Sequence, residues 1–328
     1  MIKRIVNVSG GKDSTAAYLF AMEKGKEFRA VFADVGNEAQ ETYDYISEMH
    51  IKTGGPKVEI IKADFSKELS KKAERLPAQW RAKGVSEEKI EKAVKLLKPS
   101  GNVFLDLCLT RSGFPSSKMR FCTDKLKIKP ICEQVYRPIA KKGALIVSWQ
   151  GVRRDESAKR SVLKWHEYRK VYGVRFCNFR PLLDWTVKDV FSFLYKHGVK
   201  PNPLYEKGLE RVGCFPCIFS RKAEINLIST LSPEAIDRIE EWERLVGECS
   251  PFGMSTFFPA SPLKIPGKIN YKTHGVREIS KWSGTRRGEW MKMKMNEGKE
   301  NLQTRLFDAK QELEMNRSDV CSTYGLCE

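Results

Sequence analysis

The run Ser9-Gly10-Gly11-Lys12-Asp13-Ser14-Thr15 constrains this chain more than any other segment. An apolar stretch at 2–8 leads into it, and helix-like residues 16–24 follow it, closed by Gly25. Paired glycines let a backbone approach an anion, and successive amides then face that anion from the positive end of a helix. Ser9, Ser14 and Thr15 add hydroxyl donors, and Lys12 adds a point charge. A Walker loop would place four residues between its glycine and a Gly-Lys-Ser/Thr, and this run does not. A plain Gly-Gly turn is the simpler reading, but the strand before it and the helix after it select a nucleotide-phosphate site.

The alternation continues downstream. Residues 28–34 read as a buried strand, 38–53 as a helix stopped by Gly54-Gly55-Pro56, and 58–61 as the next strand. Two further strands fall at 144–150 and 174–179, and Thr186 with Asp189 caps a helix at 187–197. Short strands separated by helices predict an α/β fold, a Rossmann-like, mostly parallel sheet with helices on both faces. Ligands of such sheets bind at the carboxyl ends of the strands, where the 9–14 loop, Asp34 and Gly151 all fall. A Lys/Glu-rich stretch at about 65–100, with Ile90, Ala93, Val94 and Leu97 at helical spacing, reads as a helical insertion. Ser232-Pro233 starts a later helix. The chain divides into a nucleotide-binding α/β domain at 1–200 and a Cys-x-x-Cys segment with a partly helical extension at 201–328.

Charge is uneven. Residues 111–180 hold 18 Lys+Arg against 5 Asp+Glu, most of the chain's formal +18. Such a stretch suits a polyanion, a nucleotide or a nucleic-acid backbone, with a solvated basic surface as the plainer alternative. No apolar run approaches a membrane span and the N-terminus lacks a signal-peptide core, so a cytoplasmic location without a membrane partner is expected. In that compartment the nine cysteines are expected to be reduced, metal-binding or catalytic.

Cys214 and Cys217 stand on a Gly213-Cys-Phe-Pro-Cys turn. A redox dithiol, half a zinc site and half an iron–sulfur site all remain open for such a pair. Cys122 lies in a segment with Lys125, Lys127 and Lys129, which would stabilise a thiolate. Cys321 and Cys327 follow near the end, while Cys108, Cys132, Cys177 and Cys249 read as buried or spare thiols. The four histidines show no triad or metal-pair spacing.

The first loop resembles the Ser-Gly-Gly-x-Asp-Ser loop of the ATP pyrophosphatases, which grips the β- and γ-phosphates while the α–β bond of ATP is cut. Four further segments complete a pattern across residues 5–222: Asp34-Val-Gly-Asn-Glu38, Gly151-Val-Arg-Arg-Asp-Glu-Ser157, Arg180-Pro-Leu-Leu-Asp-Trp185, and Asn202-Pro-Leu-Tyr205 leading into Cys214-x-x-Cys217. Together they resemble the phosphoadenosine-phosphosulfate (PAPS) reductase family of the adenine-nucleotide α-hydrolase (HUP-type) superfamily. The resemblance implies ATP held by Ser9, Gly10, Gly11, Ser14 and Thr15, with Asp34, Gly151 and Ser157 completing the nucleotide site. Lys12 would hold the departing pyrophosphate, and Asp13 would position Mg²⁺ or a loop amide. Arg153, Glu156 and Arg160 would clamp the α-phosphate or an acceptor phosphate, although each alone also suits a surface ion pair. The resemblance further implies a 4Fe–4S cluster on Cys122, Cys214 and Cys217.

Two departures shape the functional expectation. Cys122 is followed by Thr123 where cluster-bearing reductases have adjacent cysteines, so the fourth ligand is Cys321, Cys327 or a non-protein group. The chain also ends without the reductases' Glu-Cys-Gly-Leu/Ile-His segment and keeps Lys12-Asp13-Ser14 intact, which favours ATP over PAPS. The expected function is therefore adenylation of an acceptor followed by sulfur delivery. The resemblance points to DNA or tRNA as substrate and to a sulfur donor such as a cysteine desulfurase, and Arg286-Arg287 fits a nucleic acid. One alternative is a sulfonucleotide reductase forming sulfite with a thioredoxin-type reductant and Cys327 as its mobile thiol. Another is a nucleotide- or nucleic-acid-binding module without catalysis.

Overall fold

Strand β1 (Ile2–Val8) lies inside a six-stranded sheet and feeds helix α1 (Lys12–Glu23). The computed structural model describes residues 1–251, 253, 255–258 and 270–285. After α1 the chain forms β2 (Arg29–Asp34), α2 (Gln40–Thr53) and β3 (Val58–Lys62). Three helices follow, α3 (Ser66–Arg81), α4 (Glu87–Leu96) and α5 (Val103–Arg111). A helical segment then passes through two π-helical stretches, Thr123–Ile128 and Ile131–Tyr136, into α6 (Arg137–Lys141). Beyond it come β4 (Leu145–Gln150), the short α7 (Ala158–Ser161), β5 (His166–Val171), β6 (Val174–Phe179) and α8 (Val187–Lys196).

The strand order is β3-β2-β1-β4-β6-β5, parallel throughout except for β5. Central strands such as Arg29–Asp34 read as continuous apolar runs because both sheet faces are covered. One face packs on α1, α2 and α8 through Ala17, Tyr18, Ile46 and Leu194, and the other packs on the Ile131–Tyr136 stretch and α6. From β1 the chain turns to the β2 side and returns to β4 on the other side. The crevice beyond the carboxyl ends of β1 and β4 is therefore the switch point where ligands of open α/β sheets bind.

Two boundaries differ from expectation. Helix α1 begins at Lys12, not at 16, because Gly11 is extended (φ −86°, ψ 159°) and serves as its N-cap. The phosphate loop and the first helical turn are thus the same residues. Strand β5 was not expected at all: its sequence HEYRKV has no apolar face and its charges lie along an exposed edge.

The expected insertion forms α3 and α4. It shares its core with α5 and with the helices α9 (Lys222–Leu231), α10 (Pro233–Glu248) and, after the short α11 (Tyr271–His274), α12 (Val276–Ser283). Phe104 of α5 stacks on Trp242 of α10 with centroids 5.5 Å apart, and the apolar cluster runs from Val35 to Ile279. No described helix is long and apolar enough to cross a membrane. Arg286, Arg287, Cys321 and Cys327 lie outside the described residues.

Candidate active site

Gly10 opens the loop at φ +73°, a left-handed conformation, and a side chain there would meet Thr42 Cγ2 at 2.7 Å. Ser14 Oγ accepts from the Ser9 amide at 3.0 Å and donates to the Gly11 carbonyl at 2.9 Å. Thr15 is fully buried and donates to the same carbonyl at 3.1 Å. These hydroxyls therefore brace the loop. Amides at the start of α1 have no helical carbonyl to pair with, as at any helix N-terminus. One of them, that of Lys12, donates to Tyr205 Oη at 3.0 Å, and Lys12 Nζ lies 5.3 Å from the centre of that ring.

Asp13 is held from the other side. Arg153 Nε stands 2.5 Å from its Oδ1 and Lys12 Nζ 3.4 Å from its Oδ2. Arg153 is only 3% exposed, pairs also with Asp155 at 2.5 Å, and does not line the cleft beside the loop, so it is not an open phosphate clamp. A carboxylate matched by two cations is not a free ligand, and Asp13 does not fit the Mg²⁺ expected there. Gly151 makes this packing feasible: a Cβ on it would fall 2.2 Å from the Asp13 carbonyl oxygen.

The loop forms one wall of a cleft of about 290 Å³. Across it stand Lys127, Glu156, Arg160, Arg211, Glu224 and the thiol pair Cys214 and Cys217. Glu156 and Arg160 form an ion pair with each other. Ser157 is exposed, stands at the N-cap position of α7 without a side-chain capping bond, and does not line the cleft. Asp34 also lies elsewhere, in a neighbouring cleft of about 880 Å³. There its carboxylate meets Lys62 at 2.9 Å, Tyr43 Oη at 2.7 Å and the Gly36 amide at 2.8 Å.

The thiol turn is fixed by the loop after β2. The Phe215 amide donates to the Asn37 carbonyl at 2.6 Å, and Asn37 Nδ2 donates to the Pro216 carbonyl at 2.8 Å. Arg238 Nη2 donates to the Phe215 carbonyl at 2.7 Å and to Asn37 Oδ1 at 3.1 Å. Cys214 shares a hydrogen bond with Cys217, which holds the Cys217 thiol below the usual range with help from Arg211 and Lys127 and pushes Cys214 up. Burial raises Cys122, which also feels Cys217. Lys127 sits among these three: burial opposes its charge, but Cys214, Glu38, Cys217 and Cys122 hold its pKa up. Burial pushes Glu38 up to about 7, and its Oε2 has no hydrogen-bond partner. Three of the spare thiols, Cys108, Cys132 and Cys249, are buried, as is Cys177.

Sequence reasoning overlooked Lys127, Arg211 and Glu224 as members of this cleft. Lys127 alone carried a signal, as the middle lysine of a basic run beginning at a cysteine.

The fold and the cleft define an open, mostly parallel α/β protein whose ligand crevice lies at the switch point of the sheet. More narrowly, the chain belongs to the family of the phosphoadenosine phosphosulfate reductase domain, which matches residues 3–220. It is 40% identical over 298 residues to an uncharacterized 37.8 kDa protein of Escherichia phage 186, covering 87% of this chain and 89% of that protein. An uncharacterized protein of Methanocaldococcus jannaschii is 27% identical over 230 residues, 70% of this chain and 45% of that protein, so this chain spans under half of that relative. A PAPS reductase structure from Candida auris aligns with 65% of this chain and 81% of its own, at 18% identity and a TM-score of 0.40.

Proposed function

We propose that this protein binds ATP at the 9–14 loop, transfers AMP to an acceptor and delivers sulfur to the activated atom. One observation carries the reading: the phosphate loop and the thiols Cys214 and Cys217 are walls of a single cleft. In the first step an acceptor oxygen attacks the α-phosphorus, the bond to the bridging oxygen breaks, and pyrophosphate leaves. First-turn amides of α1 and Lys12 hold the leaving pyrophosphate, while Arg160 and Arg211 offset charge building at the α-phosphate. In the second step hydrosulfide attacks the acceptor carbon or phosphorus to which the adenylated oxygen is attached, the bond from that atom to the oxygen breaks, and AMP departs carrying the oxygen and the bonding electron pair.

Cys214, Cys217 and Lys127 line one cleft, Cys122 from a distant segment is near enough to feel the Cys217 charge, and this donor set fits a 4Fe–4S cluster in kind. Among the described residues no three ligating side chains close around a single metal ion. Thiols of a cluster bind different irons and stand further apart than that. When bound, such a cluster would supply electrons and a place to hold sulfide.

The test is anaerobic incubation with ATP, labelled sulfide and either bulk tRNA or DNA, following pyrophosphate, AMP and sulfur in the nucleic acid. Acceptor-dependent pyrophosphate release, lost in Lys12→Ala, is expected. Cys217→Ser should release pyrophosphate but incorporate no sulfur. ATP binding without pyrophosphate would leave a non-catalytic nucleotide module, and thioredoxin-dependent sulfite from PAPS would make the protein a reductase.

A further inference from the structure

A third cleft, of about 500 Å³, is walled by six cations: Lys71, Lys72 and Arg75 of α3, Arg111 of α5, and Lys125 and Lys129 of the helical segment after Cys122. Glu68 is the one carboxylate in that wall, and it stands 3.8 Å from Lys129. Lys71 and Arg75 are exposed and make no ion pair among the described residues. Lys72 is anchored, donating to the Leu109 carbonyl and, at 2.6 Å, to Ser112 Oγ. Arg111 lies 5.7 Å from the ring of Phe121. Cations gathered this closely repel one another, and an anionic ligand relieves the repulsion.

The cleft is one helix away from the phosphate site. Lys125 and Lys127 are two positions apart on the Thr123–Ile128 stretch, so they project to different sides. Lys125 lines the basic cleft and Lys127 the phosphate cleft. With a helix about 10 Å across, a chain of regularly spaced phosphates can occupy one cleft while its reacting group enters the other. Lys125 pairs with Asp124 at 2.9 Å and Lys129 lies near Glu68, but a lone nucleotide, held by the 9–14 loop, would leave Lys71, Lys72, Arg75 and Arg111 without an anion.

We infer that the basic cleft between α3, α5 and the Thr123–Ile128 stretch holds the phosphodiester backbone of a nucleic-acid acceptor. The inference rests on the acceptor reading above and names its substrate class. The experiment is fluorescence anisotropy with labelled tRNA, single-stranded DNA and duplex DNA across a salt series, without ATP. The Lys71→Glu/Arg75→Glu variant should bind at least about tenfold more weakly, with a salt slope lower by about 2. Its affinity for ATP should be unchanged. Whichever nucleic acid shows the loss identifies the source of the backbone.

Unchanged affinity and slope in the variant, or no binding by the wild type, would overturn the inference. So would an equal loss in Lys170→Glu/Arg175→Glu, which reverses two exposed charges on β5 and β6, because it would reduce the effect to overall charge. Because ATP is absent, a failure of adenylation chemistry leaves this binding test intact.

Discussion

Asn37 Nδ2 donates to the Pro216 carbonyl at 2.8 Å, although 179 residues separate them. With the Phe215 amide on its own carbonyl, Asn37 ties the thiol turn to the end of β2 at two points. Asn37→Ala should leave the Pro216 carbonyl and Arg238 short of a partner and cost about 2 kcal/mol. Urea unfolding measures that cost. Alkylation of Cys214 and Cys217 should also speed up, and an unchanged alkylation rate would show that the turn holds its shape without Asn37.

Arg153 and Asp13 form a mostly buried pair. Arg153→Met should destabilise by about 3 kcal/mol, because it leaves the Asp13 carboxylate short of its main partner. Adding Asp13→Asn should recover part of the loss. A double-mutant cycle with no coupling between the two positions would refute the pairing.

Gly151→Ala should weaken ATP binding at least about tenfold, since a methyl group at this position drives into the Asp13 backbone and displaces the first turn of α1. Gly113→Ala, where a methyl group meets nothing within 4 Å and φ is not positive, should leave binding unchanged. Equilibrium titration of both variants with a fluorescent ATP analogue decides between local displacement and general disturbance.

Burial pushes Glu243 up to about 8, even though the Phe257 and Val276 amides donate to it at 2.6 and 2.9 Å. A carboxyl raised above its unfolded value of 4.5 contributes stability below that value and loses it as pH climbs toward 8. Wild-type unfolding free energy should therefore fall across this window, by a few kcal/mol relative to Glu243→Gln. The Gln variant pays a fixed cost for facing one amide with another, but its pH profile should be flatter. Parallel slopes would show that Glu243 is charged in the fold.

The legible parts of this protein are those whose causes are local. A glycine pair between an apolar strand and a helix announces an anion loop, and 2.0- and 3.6-residue periods announce the sheet and its covering helices. Strand β5 escaped because an exposed, charged edge carries no apolar period. Asp34 was grouped with the phosphate loop because both end parallel strands, yet Lys62 and Tyr43 draw its carboxylate into the adjoining cleft. Ser14 and Thr15 were read as ligand donors, but their hydroxyls satisfy a carbonyl that the tight loop would otherwise strand.

By itself the sequence determined the family pattern, the phosphate loop and the cysteine pair, because spacing along the chain suffices for each. Only the tertiary structure decided that Cys122 and Lys127 face Cys214 and Cys217, that Arg153 is spent on Asp13, and that the remaining lysines of the basic run open onto a separate cleft. Those outcomes depend on which sides of α3, α5 and the Thr123–Ile128 stretch meet the thiol turn. Packing between segments roughly ninety residues apart settles that, and no local period encodes it.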